Sequence, residues 1–186
     1  MSGHSKWSQI KRQKGSTDAA KSRVFARFSR LIALESKQAG GNVSAPALKT
    51  AVDRAKAANM PKDSIERAIA KGVSRDADSF ERVIYECYGP AGTAVVIDVL
   101  TDNRNRTTQE VKHLLSKQGY ELSTPGSAAW AFTRELDGTY TPNDQTLLVV
   151  SAGDEEKLST LLTMLDENDD VQVVYTNARE YESTRD

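Results

Sequence analysis

Eight cations fall within the first thirty residues, Lys6, Lys11, Arg12, Lys14, Lys21, Arg23, Arg27 and Arg30, against one acid, Asp18. The chemistry open to such a set is the neutralisation of phosphates, which needs several cations able to follow a polyanion backbone. Their spacing separates two groups. Lys6, Lys11, Arg12 and Lys14 lie among Gly3, Gly15 and polar residues, with only Trp7 and Ile10 as apolar anchors, and read as an extended tail. Arg23, Arg27 and Arg30 recur at i, i+4 and i+7, which puts them on one exposed stripe of a helix. Trp7 can stack on a base or pin the tail to the fold, and residue type alone does not separate the two. His4 can contact a phosphate or stay solvated; a lone histidine is not a metal site.

The whole chain supports binding over a merely solvated basic face. Its 186 residues carry a net charge of −1, yet residues 1–75 hold sixteen Lys/Arg against five Asp/Glu, while 76–186 hold nine against twenty-one. Segregation of +11 from −12 points to a polyanionic partner for the first part, a partner that the second would repel. A hydrophobic content of 38% in this length suffices for one large core or two small ones. The single cysteine, Cys87, leaves no intramolecular disulfide and no Cys-cluster metal site. No apolar run approaches the roughly 20 residues of a membrane helix, so a cytoplasmic chain without membrane contact is expected.

The elements that must position the cations follow from periodicity. Ser16 or Thr17 can cap a helix in which Ala20, Val24, Phe25, Phe28, Leu31 and Ile32 form an inward stripe up to Gly40-Gly41, which makes the two phenylalanines core residues rather than stacking platforms. Pro46 opens a second helix, with Leu48, Ala51, Val52 and Ala55 inward. A third runs from about Pro61 to Gly72, read as the residue that terminates it. Between the last two, Asn59, Met60, Pro61, Lys62 and Asp63 form a loop whose methionine either reaches out as a functional tip or staples the third helix to the core. The polar stretch 73–80 coincides with the change of charge sign, and the domain boundary is expected there, giving a basic helical domain over 1–75 and an acidic α+β domain over 76–186.

The second region reads as a hairpin about Gly89-Pro90, a helix from about Arg104 to Gly119, a strand over AAWAFT, a turn through Asp137-Gly138, a strand over QTLLVVSA, a helix and a strand over VQVVYTN. The expected fold class is α+β: a three-helix bundle, then a mostly antiparallel sheet covered on one face by two helices. Arg104 and Arg106 open a helix, where cations oppose the macrodipole. They form either a second phosphate-facing patch with Asn103 and Asn105 or part of a turn and cap. The acids Asp166, Glu167, Asp169 and Asp170 read as a solvated turn rather than a metal site. GPAG is too short for a phosphate loop. No nucleophile and base pair stands out, and no enzyme activity, metal, cofactor or small-molecule substrate is expected.

Five strings taken together, GHSKW (3–7), KRQKGSTDAAKSRVF (11–25), NMPKDSIERAIAKG (59–72), YECYGPAGTAVVIDVLTDNRNRT (85–107) and LDENDDVQVVYTN (165–177), resemble the YebC/PmpR family. The resemblance implies an N-terminal three-helix domain and two α+β domains, the third inserted into the second. Only twelve residues, 133–144, stand where that insertion would lie, so the third domain is expected to be absent. Proteins of this family are labelled transcriptional regulators and also look like ribosome-associated factors that help translation through proline-rich stretches. The expected partner is therefore nucleic acid, with rRNA or tRNA on the ribosome favoured and DNA, for a transcriptional regulator, as the alternative. The outward residues of 17–38 are nearly all Arg, Lys or Ser, which suits backbone contact better than a base code. The chain is expected to act as a monomer.

Overall fold

The computed structural model describes residues 18–74, 80–136 and 138–179. They fall into two compact units, one built from the helices before Glu81 together with Leu100–Asn103, the other from Arg82–Val99 and the residues from Arg104 on.

The first unit holds helices α1 (Asp18–Gln38), α2 (Pro46–Ala57) and α3 (Lys62–Val73). Ile32, Leu48, Ala51, Ala55, Met60, Ile65 and Ala68 form its core, and Phe25 and Phe28 pack against it as their spacing predicts. Two of its turns close in the same way. After α1, the N–H of Gly41 donates to Ser36 O (2.9 Å) and that of Gly40 to Lys37 O (3.3 Å), with Gly40 at φ 57°. After α2, Met60 N donates to Ala55 O (3.0 Å) and Asn59 N to Lys56 O (2.9 Å), with Asn59 at φ 61°. Both are Schellman closures, in which a left-handed residue turns the chain; after α2 the next residue also makes an apolar contact back to the helix. That contact is Met60, so the methionine lies inside the core at 5% exposure rather than at the tip of a functional loop. Met60→Leu, which conserves volume, is expected to cost less than about 1.5 kcal/mol in a urea titration and to leave nucleic-acid affinity unchanged.

Gly72 does not terminate α3. It lies inside the helix, buried, where α3 crosses α1. A Cβ there would come within 2.3 Å of Ala33 O and 2.7 Å of Ser36 Cβ. Ser36, itself fully buried, donates its hydroxyl to Ile69 O at 2.8 Å. Small residues on both helices thus allow a close crossing, and the hydroxyl between them is satisfied.

The second unit is a three-stranded sheet ordered β1-β2-β5, with β1 (Glu81–Tyr88) and β2 (Ala94–Thr101) joined by the Gly-Pro turn. β5 (Val171–Thr176) runs antiparallel to β2, and a register shift at Asp98/Val99 interrupts the ladder. Val95, Ile97 and Val99 alternate onto one face with Val171 and Val174, where α4 (Arg104–Lys117) supplies Val111 and Leu115 and α5 (Ala152–Asp166) supplies Leu158, Leu161, Leu162 and Leu165. Two helices thus cover one face of the sheet, as expected, and the other face is covered as well. Ala94, Val96, Val173 and Tyr175 meet Ala128, Ala131 and Phe132, and the short hairpin β3 (Phe132–Arg134) and β4 (Tyr140–Pro142) closes the layer. β2 is therefore buried along its whole length, which explains its unbroken apolar run.

The strand expected over QTLLVVSA does not form. A 3-10 turn at Asp144–Thr146 leads into an extended stretch joined to Ala178 by one parallel bridge from Leu148, with Val149 exposed. Asn177 explains the arrest. Its side chain accepts from Ala94 N (2.8 Å) and donates to Thr146 O (2.6 Å), so it occupies a backbone acceptor at the start of the stretch, which pairs with residues 177–179 only through Leu148.

Two buried carboxylates inside this unit are paired. The Glu86 carboxylate accepts from Gly126 N (2.7 Å), Ala128 N (2.7 Å) and Ala129 N (2.8 Å), and so ties the layer below the sheet to β1. Asp98, 3% exposed, accepts from Arg82 Nε at 2.8 Å. Cys87 is buried, and burial alone pushes its thiol up to about 12. Because the unfolded thiol ionises near its ordinary 9.0, the contribution of Cys87 to stability is complete below that pH and is lost as pH rises towards 12. Native protein at neutral pH is expected to resist thiol-disulfide reagents until it is unfolded; rapid labelling of the folded chain would contradict this.

Candidate nucleic-acid interface

His4, Lys6, Trp7, Lys11, Arg12 and Lys14 lie outside the described residues. Lys21 is exposed on α1, whereas Arg23, Arg27 and Arg30 are half-buried, not fully exposed as their stripe predicts. Long guanidinium side chains lay their stems along apolar surface while the heads reach outward. Arg27 and Arg30 are, moreover, engaged by other groups of the chain. On α2, the Arg54 guanidinium stands 6.0 Å from the centroid of Phe28, a cation–π contact across the bundle.

The structure brings together cations that the sequence leaves apart. Arg30 and Ser29 of α1 line a groove of about 270 Å³ with Ser64, Arg67 and Lys71 of α3 and with Phe80. Arg67 and Lys71 are exposed. The Lys71 ammonium lies 5.6 Å from the Phe80 ring centroid. Arg67 is pre-oriented by its own helix, donating from Nε to Asp63 O (3.2 Å) and from Nη2 to Ser64 Oγ (3.0 Å). Arg67, Lys71 and Phe80 were not legible as site residues. Arg67 and Lys71 do stand at i, i+4 on the outer face of α3, which is the one signal available.

The loop 59–63 is otherwise accounted for by chain geometry. Asn59 takes the left-handed position, Met60 the apolar one, and Pro61 caps α3. Lys62 and Asp63 are exposed in the first turn of α3, where Lys62 pairs with Glu66 at 3.6 Å.

Arg104 and Arg106 separate. Arg104 is exposed. Arg106 Nη2 donates to Asp170 Oδ2 at 2.7 Å, and Thr107 Oγ1 donates to the same oxygen at 2.6 Å. Asp170 is 4% exposed, so the acid read as part of a solvated turn is a buried charge, and Arg106 is placed against the helix dipole because that charge needs a partner. Arg106, exposed like Arg104, thus has a structural role as the partner of a buried carboxylate. Among the described residues, no group of three or more His, Cys, Asp or Glu is arranged to hold a metal, and no helix is long and apolar enough to cross a membrane.

These features define a class in terms of fold: an all-helical unit rich in surface cations and an α+β unit built on a three-stranded sheet, its buried charges paired. Residues 5–75 match the model of the TACO1/YebC protein N-terminal domain, and residues 80–136 that of the TACO1/YebC second and third domain. The chain belongs to the TACO1/YebC family. A probable transcriptional regulatory protein of Petrotoga mobilis is 44% identical over 186 residues, covering 95% of this chain and 70% of the relative. One of Desulfitobacterium hafniense is 40% identical, covering the whole of this chain and 74% of the relative. One of Kosmotoga olearia is 36% identical over 238 aligned positions, covering 95% of this chain and 94% of the relative. The crystal structure of a conserved hypothetical protein from Aquifex aeolicus superposes with a TM-score of 0.77 at 29% identity, covering 87% of this chain and 91% of that one.

Proposed function

We propose that the chain is a non-enzymatic, nucleic-acid-binding regulator of gene expression, acting as a monomer in the cytoplasm. Its work would be that of a ribosome- or RNA-associated translation factor that eases elongation through difficult, proline-rich stretches. The observation that carries this reading is the confinement of positive charge to the helical part, +11 over residues 1–75, with cations presented by α1, α2 and α3. Lys21, Lys49, Lys56, Lys62, Arg67 and Lys71 are exposed on the three helices, and such cations favour backbone contact with structured RNA over operator reading. The names of the relatives, probable transcriptional regulatory proteins, support regulation of gene expression and favour a second reading, a DNA-binding transcriptional regulator.

The reading includes the absence of the family's inserted third domain. Two observations support it. Between Phe132 and Pro142 the chain forms only the short β3–β4 hairpin, closed by Asn143 N donating to Ala131 O at 2.9 Å. The 238 positions aligned with the Kosmotoga relative also exceed the 186 residues of this chain.

Co-sedimentation with ribosomes, set beside binding to random and promoter DNA at matched salt, separates the two readings. A chain that stays off ribosomes yet prefers promoter DNA strongly over random DNA is a transcriptional regulator. Ribosome profiling of a deletion strain is expected to show pauses at proline codons.

A further inference from the structure

We infer that the groove between α1 and α3 is a binding site for single-stranded RNA, with the phosphodiester held by Arg30, Arg67 and Lys71 and an unstacked base laid on Phe80. This inference rests on the reading that the helical unit binds nucleic acid, and it names the place and the form of the ligand. Three cations and two hydroxyls, Ser29 and Ser64, line the same groove, which matches the donors that phosphate oxygens require. Arg67 is held ready by Ser64 Oγ and Asp63 O, so less side-chain freedom is lost on binding. An aromatic ring beside a cationic track is the arrangement that binds single strands, because every base has a face to stack while its phosphate is neutralised. Here the Lys71 ammonium lies over one face of the Phe80 ring, 5.6 Å from its centroid, so the base stacks on the opposite face. A groove of about 270 Å³ is close to the size of a small-ligand pocket, the scale of one nucleotide of a strand. Base-paired RNA, moreover, does not offer a free base face to an aromatic side chain.

The test compares the full chain with Arg67→Glu/Lys71→Glu, with Phe80→Ala and with Phe80→Trp, using a fluorescent twelve-nucleotide single-stranded RNA and an RNA hairpin of paired sequence across a salt series. Lys112→Glu/Lys117→Glu, two exposed positions on α4, makes the same change in net charge elsewhere. Circular dichroism confirms that each variant is folded. The groove double variant is expected to lose single-strand affinity by at least tenfold and to flatten the plot of log affinity against log salt by about 0.7 for each phosphate no longer neutralised. Phe80→Ala should lose about tenfold, and Phe80→Trp should restore binding. If the groove variants match the wild type while the wild type binds the single strand, the groove is not the site and the proposed function still stands. If the wild type binds ribosomes or DNA but no single strand, the inference again fails alone. If it binds neither nucleic acid nor ribosomes, the inference and the function reading fail together.

Discussion

Glu86→Ala is expected to destabilise the α+β unit by about 1–3 kcal/mol, the scale of leaving a buried donor unsatisfied. The side chain is 5% exposed and accepts three backbone N–H groups, from Gly126, Ala128 and Ala129. Alanine removes the acceptor but not the donors, and the N–H of Ala128, which is buried, is left inside where water cannot take the acceptor's place. Hydrogen bonds to an ionised acceptor are also roughly twice as strong as neutral ones. Glu86→Gln keeps one acceptor oxygen but points an amide donor at other donors, so its cost should fall between the wild type and alanine. Urea titration by circular dichroism measures the loss. Amide exchange at Gly126, Ala128 and Ala129 localises it, since those three should lose protection first. An unshifted midpoint together with slow exchange at all three would refute this role for the carboxylate.

Gly72→Ala is the second large effect, and its sign opposes helix propensity. Alanine inside a helix is favoured over glycine by about 0.8–1.0 kcal/mol. At this position the added Cβ would sit 2.3 Å from Ala33 O, a backbone atom that moves only if α1 moves. Overpacking of this kind costs about 1–3 kcal/mol, and a backbone carbonyl as the obstacle puts the expectation near the upper end, so net destabilisation of about 2 kcal/mol is expected after the propensity gain. Ser36 would be displaced with α1, stretching its 2.8 Å bond to Ile69 O. A thermal melt of the helical unit that rises on Gly72→Ala would show that the two helices have room to separate.

Much of the architecture is legible in local pattern. Apolar residues at helical spacing place α1, α2 and α3, because a stripe at 3.6-residue intervals can be buried only along one face. The left-handed positions at Gly40 and Asn59 follow from residue type, since glycine and asparagine adopt them at least cost. The α+β class follows from the alternation in β1 and the continuous apolar run of β2. The same local signals mislead where a distant group competes. QTLLVVSA has the composition of a strand, but the Asn177 side chain takes Thr146 O and the stretch pairs with residues 177–179 only through Leu148. Gly72 sits where a helix could end, and its helix continues because glycine is needed for the crossing with α1 rather than for a turn.

The sequence by itself determined the separation of charge, the three basic helices, the hairpin and the family, because each depends on residue types and on neighbours a few positions away. The tertiary structure alone decided which charges meet distant groups. Arg106 is committed to Asp170, 64 positions along the chain, and Glu86 to a loop 40 positions away. Arg30, Arg67 and Lys71 share a groove only because α3 crosses α1. The physical reason is one of range. Helical period and turn preference act over a few residues, whereas burial sets the cost of an unpaired charge, and burial is known only once distant segments have packed.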